Sequence, residues 1–344
     1  MQCDNPILIG GSGSTGSTLL ATILNRHPEI GIGPELSLFN KPVLFNTPFT
    51  EFRDNLVHYL SVGTSTRGWH LYLPTMKRLE QYGWDNNSLL YLAKKSTNAR
   101  DFIDGFFGHY LNVNNKIIWG EKTPSNSYQF DSFLRLYPKA RIIHIVRDAR
   151  DVVCSLKNRG MNSYYASMLW LYNTAMGVRL NNNESYYQIS YEDLVIDTEN
   201  TVINLCEFLN VNYFSNMINH QQSSIDNSIK SWNNKPSGII NSKSVGKYKN
   251  VLGDFDYFVM NHIRISNSHV SYYGLRNNSI ISLSNLSNID NYTLNYSKVL
   301  RSYFIIRLVL LFMKDVIRRF FIMLLIDRDL YPIPGRIDIK GSLK

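Results

Sequence analysis

The sequence predicts an α/β fold: a P-loop-like parallel β-sheet flanked by helices on both faces, with a mainly helical C-terminal extension. Three observations carry this. An apolar run from Ile7 opens onto a Gly/Ser loop and then a helix start, ILIGGSGSTGSTLL through Leu20. A second apolar run, Ile142 to Val146, leads directly into a helix over about Ala149 to Lys157. Further apolar runs near Lys116 and Tyr186 alternate with helix-patterned segments, as in a parallel sheet covered on both faces.

The first loop is built to hold an anion. Its glycines let the backbone turn sharply, and the amides and positive dipole end of the next helix, about Ser17 to Asn25, attract phosphate. Gly11, Gly13 and Gly16 fit the dinucleotide pattern G-x-G-x-x-G, with Glu35 near where an acid reaches a ribose. Gly11 to Thr18 also fits G-x-x-x-x-G-K-[ST], except that Ser17 replaces the lysine that reaches the β- and γ-phosphates, which weighs against nucleoside triphosphate hydrolysis. A phosphate loop without that lysine is the third reading.

From Glu51 to Asn112 the apolar spacing is helical, and Phe106, Phe107 and Tyr110 read as core or pocket wall. The block KARIIHIVRDARDVVCSLKNRG, Lys139 to Gly160, places Arg147 at the carboxyl end of a strand, where open α/β sheets bind ligands. Ser155 and Arg159 follow eight and twelve residues later and are expected to share one helical face, so that two guanidinium groups and a hydroxyl suit a second phosphate. An ion pair of Arg147 with Asp148 or Asp151 is the simpler alternative. His144, inside an apolar strand, reads as a core residue. Tyr164, Tyr165, Trp170 and Asn173 on the next helix would pack or line an acceptor pocket.

With both blocks in order, the chain resembles the sulfotransferase superfamily, whose donor is 3'-phosphoadenosine 5'-phosphosulfate. By that resemblance Ser14, Thr15, Gly16, Ser17 and Thr18 hold the 5'-phosphosulfate, and Arg147, Ser155 and Arg159 hold the 3'-phosphate. GEKTP, Gly120 to Pro124, resembles the lysine-bearing strand end and puts Lys122 beside the transferred group. ISYEDLVIDTENTVINLCEFLNV, Ile189 to Val211, resembles the later strand, turn and helix, with Tyr191 near the nucleotide; SKSVGKYKN, Ser242 to Asn250, resembles a closing loop, with Lys247 as its phosphate contact. HPEIGIGPELSLF, His27 to Phe39, is similar to the tyrosylprotein and carbohydrate-type branch and makes Glu35 the base; His70 and His109 do not fall on the motif of the histidine-using branch. Family members commonly carry Lys or Arg where this chain has Ser14, which shifts charge stabilisation onto Lys122 and the loop amides.

The resemblance covers roughly residues 5 to 252, and the expected division is a catalytic domain over 1–255 and an extension over 256–344. The implied reaction moves a sulfuryl group to a hydroxyl of a carbohydrate, a lipid-linked sugar (glycolipid) or a peptide tyrosine, with no metal. A nicotinamide-dependent Rossmann oxidoreductase would give Arg147, Ser155 and Arg159 no role; a non-catalytic nucleotide-binding protein remains the other alternative.

A formal charge of +9 over 344 residues suits anionic ligands, and no interleaved basic and aromatic stripe or zinc spacing suggests nucleic acid. Cys3, Cys154 and Cys206 argue for a reducing compartment, and the first strand begins too early for a signal peptide, so a cytoplasmic protein is expected. Asn277 to Ser297 is Asn/Ser-rich and reads as an irregular connector. Leu300 to Ile326 reads as a helix ended by Pro332, Pro334 and Gly335, with Arg307, Lys314 and Arg318 on one face. Charges interrupt it too often for a span. It would lie on an anionic membrane surface, dock on a partner, or pack on its own domain or a dimer mate.

Overall fold

The run Ile7–Gly11 forms β1, buried along its whole length at the centre of a five-stranded parallel sheet. The computed structural model describes residues 3–40, 43–62, 76–218, 240–266, 280–282, 286, 297–325 and 336–337. β2 (Ile30–Ile32), β3 (Ile118–Lys122), β4 (Arg141–Val146) and β5 (Tyr186–Ser190) complete the sheet in the order β2-β3-β1-β4-β5. Ile7 is in register with Gly120 of β3 and Arg141 of β4, and Gly11 with Ile145. β1 is flanked on both sides by strands and on both faces by helices, which is why its sequence is apolar without alternation. In a dinucleotide fold the strand ending in the ribose-binding acid lies beside the first strand. Here β3 separates β2 from β1, so the topology does not support the dinucleotide reading of Glu35.

The chain divides into two compact units. One comprises Met1–Gly11, Gly16–Ile145 and Leu180–Ser242; the other comprises Ser12–Thr15, Val146–Arg179 and Lys243–Lys344. The first holds the sheet with α1 (Ser17–Asn25), α2 (Val43–Asn46), α3 (Phe49–Val62), α4 (Met76–Gln81), α5 (Asn86–Lys95), α6 (Ala99–Asn114), α7 (Phe130–Leu136), α10 (Tyr191–Ile196) and α11 (Thr198–Leu209). Asp85 and Asn98 start α5 and α6 by accepting first-turn amides that would otherwise lack partners. Phe106, Phe107 and Tyr110 of α6 are buried core residues, and Phe107 stacks on Trp119 of β3 with centroids 4.1 Å apart. Gly10 has to be glycine: a Cβ there would meet the Phe130 ring at 2.6 Å and the Ser127 amide at 2.7 Å.

The second unit holds α8 (Ala149–Lys157), α9 (Ser163–Val178), α12 (Asp254–His262) and α13 (Lys298–Leu325), with a small antiparallel sheet of β6 (Ile263–Ser266), β7 (Ile280–Ser282) and β8 (Arg336–Ile337). Asp148 caps α8 through the Arg150 amide, and Asn162 caps α9 through that of Tyr165. Within the Asn/Ser-rich stretch, Ile280–Ser282 is a strand rather than irregular chain. Most of the rest of that stretch, and also His70, Pro332, Pro334 and Gly335, lie outside the described residues. The three cysteines are buried and free.

His144 is a core residue, as its strand position suggests. The Tyr186 hydroxyl donates to Gln188 Oε1 at 3.2 Å, so its oxygen accepts from His144 Nδ1–H at 2.7 Å, and Nε2 is buried with no hydrogen-bond partner among the described residues. Burial pushes the imidazole from its ordinary 6.5 down to about 3. The unfolded chain therefore binds a proton below pH 6.5 that the folded chain refuses. The stability is complete above 6.5 and declines as pH falls toward 3, at up to about 1.4 kcal/mol per pH unit. Urea unfolding of the wild type and His144→Leu should give a gap that narrows between pH 7.5 and pH 5. A constant gap would mean the imidazole is charged in the fold.

Candidate active site

Two groups of polar side chains stand at strand ends, one in each compact unit. In the first unit, β3 ends at Lys122 and β2 is followed by the irregular segment carrying Glu35, which is not at a helix start. Lys122 Nζ pairs with Glu35 Oε1 and lies 3.2 Å from Thr18 Oγ1 on the first turn of α1. The lysine side chain is 6% exposed and the glutamate 30%, so the carboxylate is the accessible member.

The backbone on either side of Glu35 is fixed by the core. Tyr82 donates its hydroxyl to Pro34 O at 2.7 Å, the Leu36 amide donates to Glu121 Oε1 at 2.9 Å, and the Ser37 amide to Thr123 Oγ1 at 3.1 Å. Phe39 is wholly buried, against Trp119 and Phe133. Glu121 points away from Lys122, as strand alternation requires, and also accepts from Thr123 Oγ1 at 2.6 Å and from Asn126 Nδ2. Burial raises its carboxyl despite those donors. Glu121→Gln should lower unfolding free energy in urea by about 1–3 kcal/mol, since an amide would face the Asn126 amide. An unchanged value would mean the folded protein holds Glu121 protonated.

Gly16 opens α1 at φ +90°, and a Cβ there would enter the Tyr191 ring. Tyr191, the first residue of α10, is buried at that position. No side chain caps α1 and no acid occupies its first turn, which leaves those amides free of an anionic cap on the helix itself.

In the second unit, Ser14 adopts φ +71°, which favours glycine, and Thr15 Oγ1 closes the turn on Ser12 O at 2.7 Å. Ser12 Oγ is buried and has no hydrogen-bond partner among the described residues. Arg147 follows β4 and is 8% exposed; its Nη1 donates to Ser14 O at 3.1 Å, its Nη2 donates to Ser244 O, and Asp151 Oδ2 lies 3.7 Å away. Trp170 Nε1 donates to Arg147 O at 2.9 Å, which gives the buried tryptophan a positioning role. Ser155 Oγ reaches Ser14 Oγ at 3.1 Å.

Arg159 lies in the last turn after α8, its amide donating to Leu156 O at 3.0 Å just before Gly160 at φ +88°, and it is exposed. Lys247 is also exposed, in the turn after Gly246. That turn is held by Asp151, whose two oxygens accept from the Gly246 amide at 2.7 Å and the Tyr248 amide at 3.0 Å. Sequence reasoning treated Asp151 only as an ion-pair partner; its link to residues 246–248 depends on a contact nearly 100 residues away. Glu121 and Tyr82 were missed because their partners, Leu36 and Pro34, are likewise distant in sequence, and Trp170, read as packing or pocket wall, gains its bond to Arg147 O only in the fold. Among the described residues no cluster of three His, Cys, Asp or Glu side chains could hold a metal.

A model of the sulfotransferase family matches residues 6–215. The chain belongs to the sulfotransferase family. This sulfotransferase is 24% identical over 233 residues to a Caenorhabditis briggsae protein provisionally assigned as a protein-tyrosine sulfotransferase, covering 63% of this chain and 69% of that one. Its fold is similar to the sulfotransferase domain of the Synechococcus PCC 7002 olefin synthase, with a TM-score of 0.56, 20% identity, and coverage of 74% of this chain and 90% of that one. A sulfotransferase domain from the curacin biosynthetic pathway gives a TM-score of 0.51 at 18% identity, over 74% of this chain and 93% of its own.

Proposed function

We propose that this sulfotransferase takes its sulfuryl group from 3'-phosphoadenosine 5'-phosphosulfate and delivers it to a hydroxyl acceptor, with Glu35 as the base. The observation that carries the reading is Lys122 Nζ held between the Glu35 carboxylate and Thr18 Oγ1 at the start of an uncapped helix. A cation at a helix N-terminus suits a bridging phosphate oxygen, and a more exposed carboxylate beside it suits an incoming hydroxyl.

In the reaction the bond from sulfur to the donor's phosphate oxygen breaks while a bond to the acceptor oxygen forms. Lys122 neutralises charge on the departing phosphate, and the amides following Gly16 hold its oxygens. When Lys122 turns to that oxygen, its pair with Glu35 opens, and the freed carboxylate takes the acceptor proton. Thr15, Ser17 and Thr18 complete the 5'-phosphosulfate loop, and Tyr191 packs against Gly16. The buried Ser12 hydroxyl and the Arg147–Ser14–Ser155 cluster fit further phosphate oxygens; we assign Arg147 and Ser155, with Arg159, to the 3'-phosphate and Lys247 to a closing contact. The acceptor class is a carbohydrate, a glycolipid or, as the name of the nematode relative suggests, a peptide tyrosine.

The test is calorimetric titration with adenosine 3',5'-bisphosphate, with adenosine 5'-phosphate and NAD as controls. The bisphosphate should bind selectively. Arg147→Ala should weaken it by roughly 100-fold while adenosine 5'-phosphate changes little, because one charge-assisted contact of about 1.5–3 kcal/mol is lost with only the former. Equal losses for both ligands would remove Arg147 from the 3'-phosphate.

A further inference from the structure

Helix α13 presents apolar side chains on two opposite faces. One face is packed: Phe304 meets Phe255 and Phe258 of α12 with centroids 5.3 and 5.4 Å apart, and Phe312 meets Tyr164 of α9 at 6.2 Å. The other face is exposed, with Val299, Tyr303, Ile306, Leu310, Met313 and Ile317 in one stripe along it. Ile306 and Leu310 are each 60% exposed, against 6% for Phe304 and 1% for Leu308. More than half of the large apolar side chains exposed among the described residues lie on this helix, a concentration that single scattered surface residues do not produce.

The charges beside the stripe have one sign. Lys298, Arg307 and Lys314 are exposed, and the helix's one acid, Asp315, is buried. Arg301, Arg318 and Arg319 add to the basic count in sequence. We propose that this face of α13 docks on an anionic lipid surface, the helix lying in the plane of the interface. No helix among the described residues is long and apolar enough to cross a membrane, which leaves the interfacial position.

A second copy of the chain is the competing occupant, and the spacing of the stripe would suit a coiled-coil seam. Its flanks would not. Arg307 and Lys314 each follow a stripe residue by one position, whereas Ser302, Val309 and Val316 line the opposite flank. A parallel pair would set the cations against Ser and Val, and an antiparallel pair would set them against each other. An anionic surface supplies a counter-charge to all of them, at about 1 kcal/mol per basic residue near the surface, or roughly fivefold each.

The experiment is flotation of the full chain with vesicles of phosphatidylcholine alone and with added phosphatidylserine, at low and high salt. Thermal unfolding and sedimentation equilibrium are run in parallel. We expect binding to the phosphatidylserine vesicles that weakens with salt. Ile306→Ser with Leu310→Ser should reduce it by roughly tenfold or more without lowering the melting temperature, since both side chains are already in water. Lys314→Gln should reduce it by roughly fivefold and flatten the salt dependence. Absence of vesicle binding overturns the proposal, as does binding indifferent to all three substitutions. A dimer that Leu310→Glu dissociates would overturn it in favour of a subunit interface.

Discussion

Glu35→Gln is expected to lower the turnover number by roughly 100-fold or more while leaving affinity for adenosine 3',5'-bisphosphate unchanged or slightly higher. Glutamine keeps the shape of the side chain but cannot take the acceptor proton. It also ends the competition between Glu35 and phosphate for Lys122, because an amide oxygen holds an ammonium less strongly than a carboxylate does. The backbone at Glu35 is pinned by Tyr82, Glu121 and Thr123, so the substitution should not displace the segment. Transfer of labelled sulfate to whichever acceptor in a panel the wild type uses, followed by calorimetry on both proteins, reads the two effects separately. Unchanged turnover would assign the base to another residue.

Lys122→Met is expected to lower turnover by roughly 100- to 1000-fold, the usual loss when one pre-positioned donor to developing charge is removed. Here nucleotide affinity should fall as well, by about tenfold, because on the proposed assignment the ammonium would meet the phosphate before and after transfer. A loss of nucleotide affinity in this variant and none in Glu35→Gln separates Lys122 from Glu35, although the two side chains touch. Methionine fills the buried stem of Lys122 at similar volume, so the melting temperature should stay close to that of the wild type. A variant with normal turnover would leave the departing phosphate to the loop amides alone.

The elements around the first loop and Arg147 were legible because their signals are local. The helix expected at Ser17 to Asn25 and that at Ala149 to Lys157 are observed with those bounds, each starting where a turn or cap residue interrupts an apolar strand. Lys122, and Glu35 as its neighbour and a base, could be singled out only through resemblance; no periodicity in the chain brings residues 87 positions apart into one ion pair.

Composition and local pattern by themselves determined the α/β class, the Gly/Ser turn between β1 and α1, the strand ends and the C-terminal helix. They did so because turn chemistry, capping and hydrophobic period act over a few residues. Tertiary structure alone decided the strand order that separates β2 from β1, the buried Glu121 that ties three segments together, and the grip of Asp151 on the 246–248 turn. It also decided which face of α13 is covered: both faces are apolar in sequence, and only packing on α9 and α12 distinguishes the buried one from the one left to a partner.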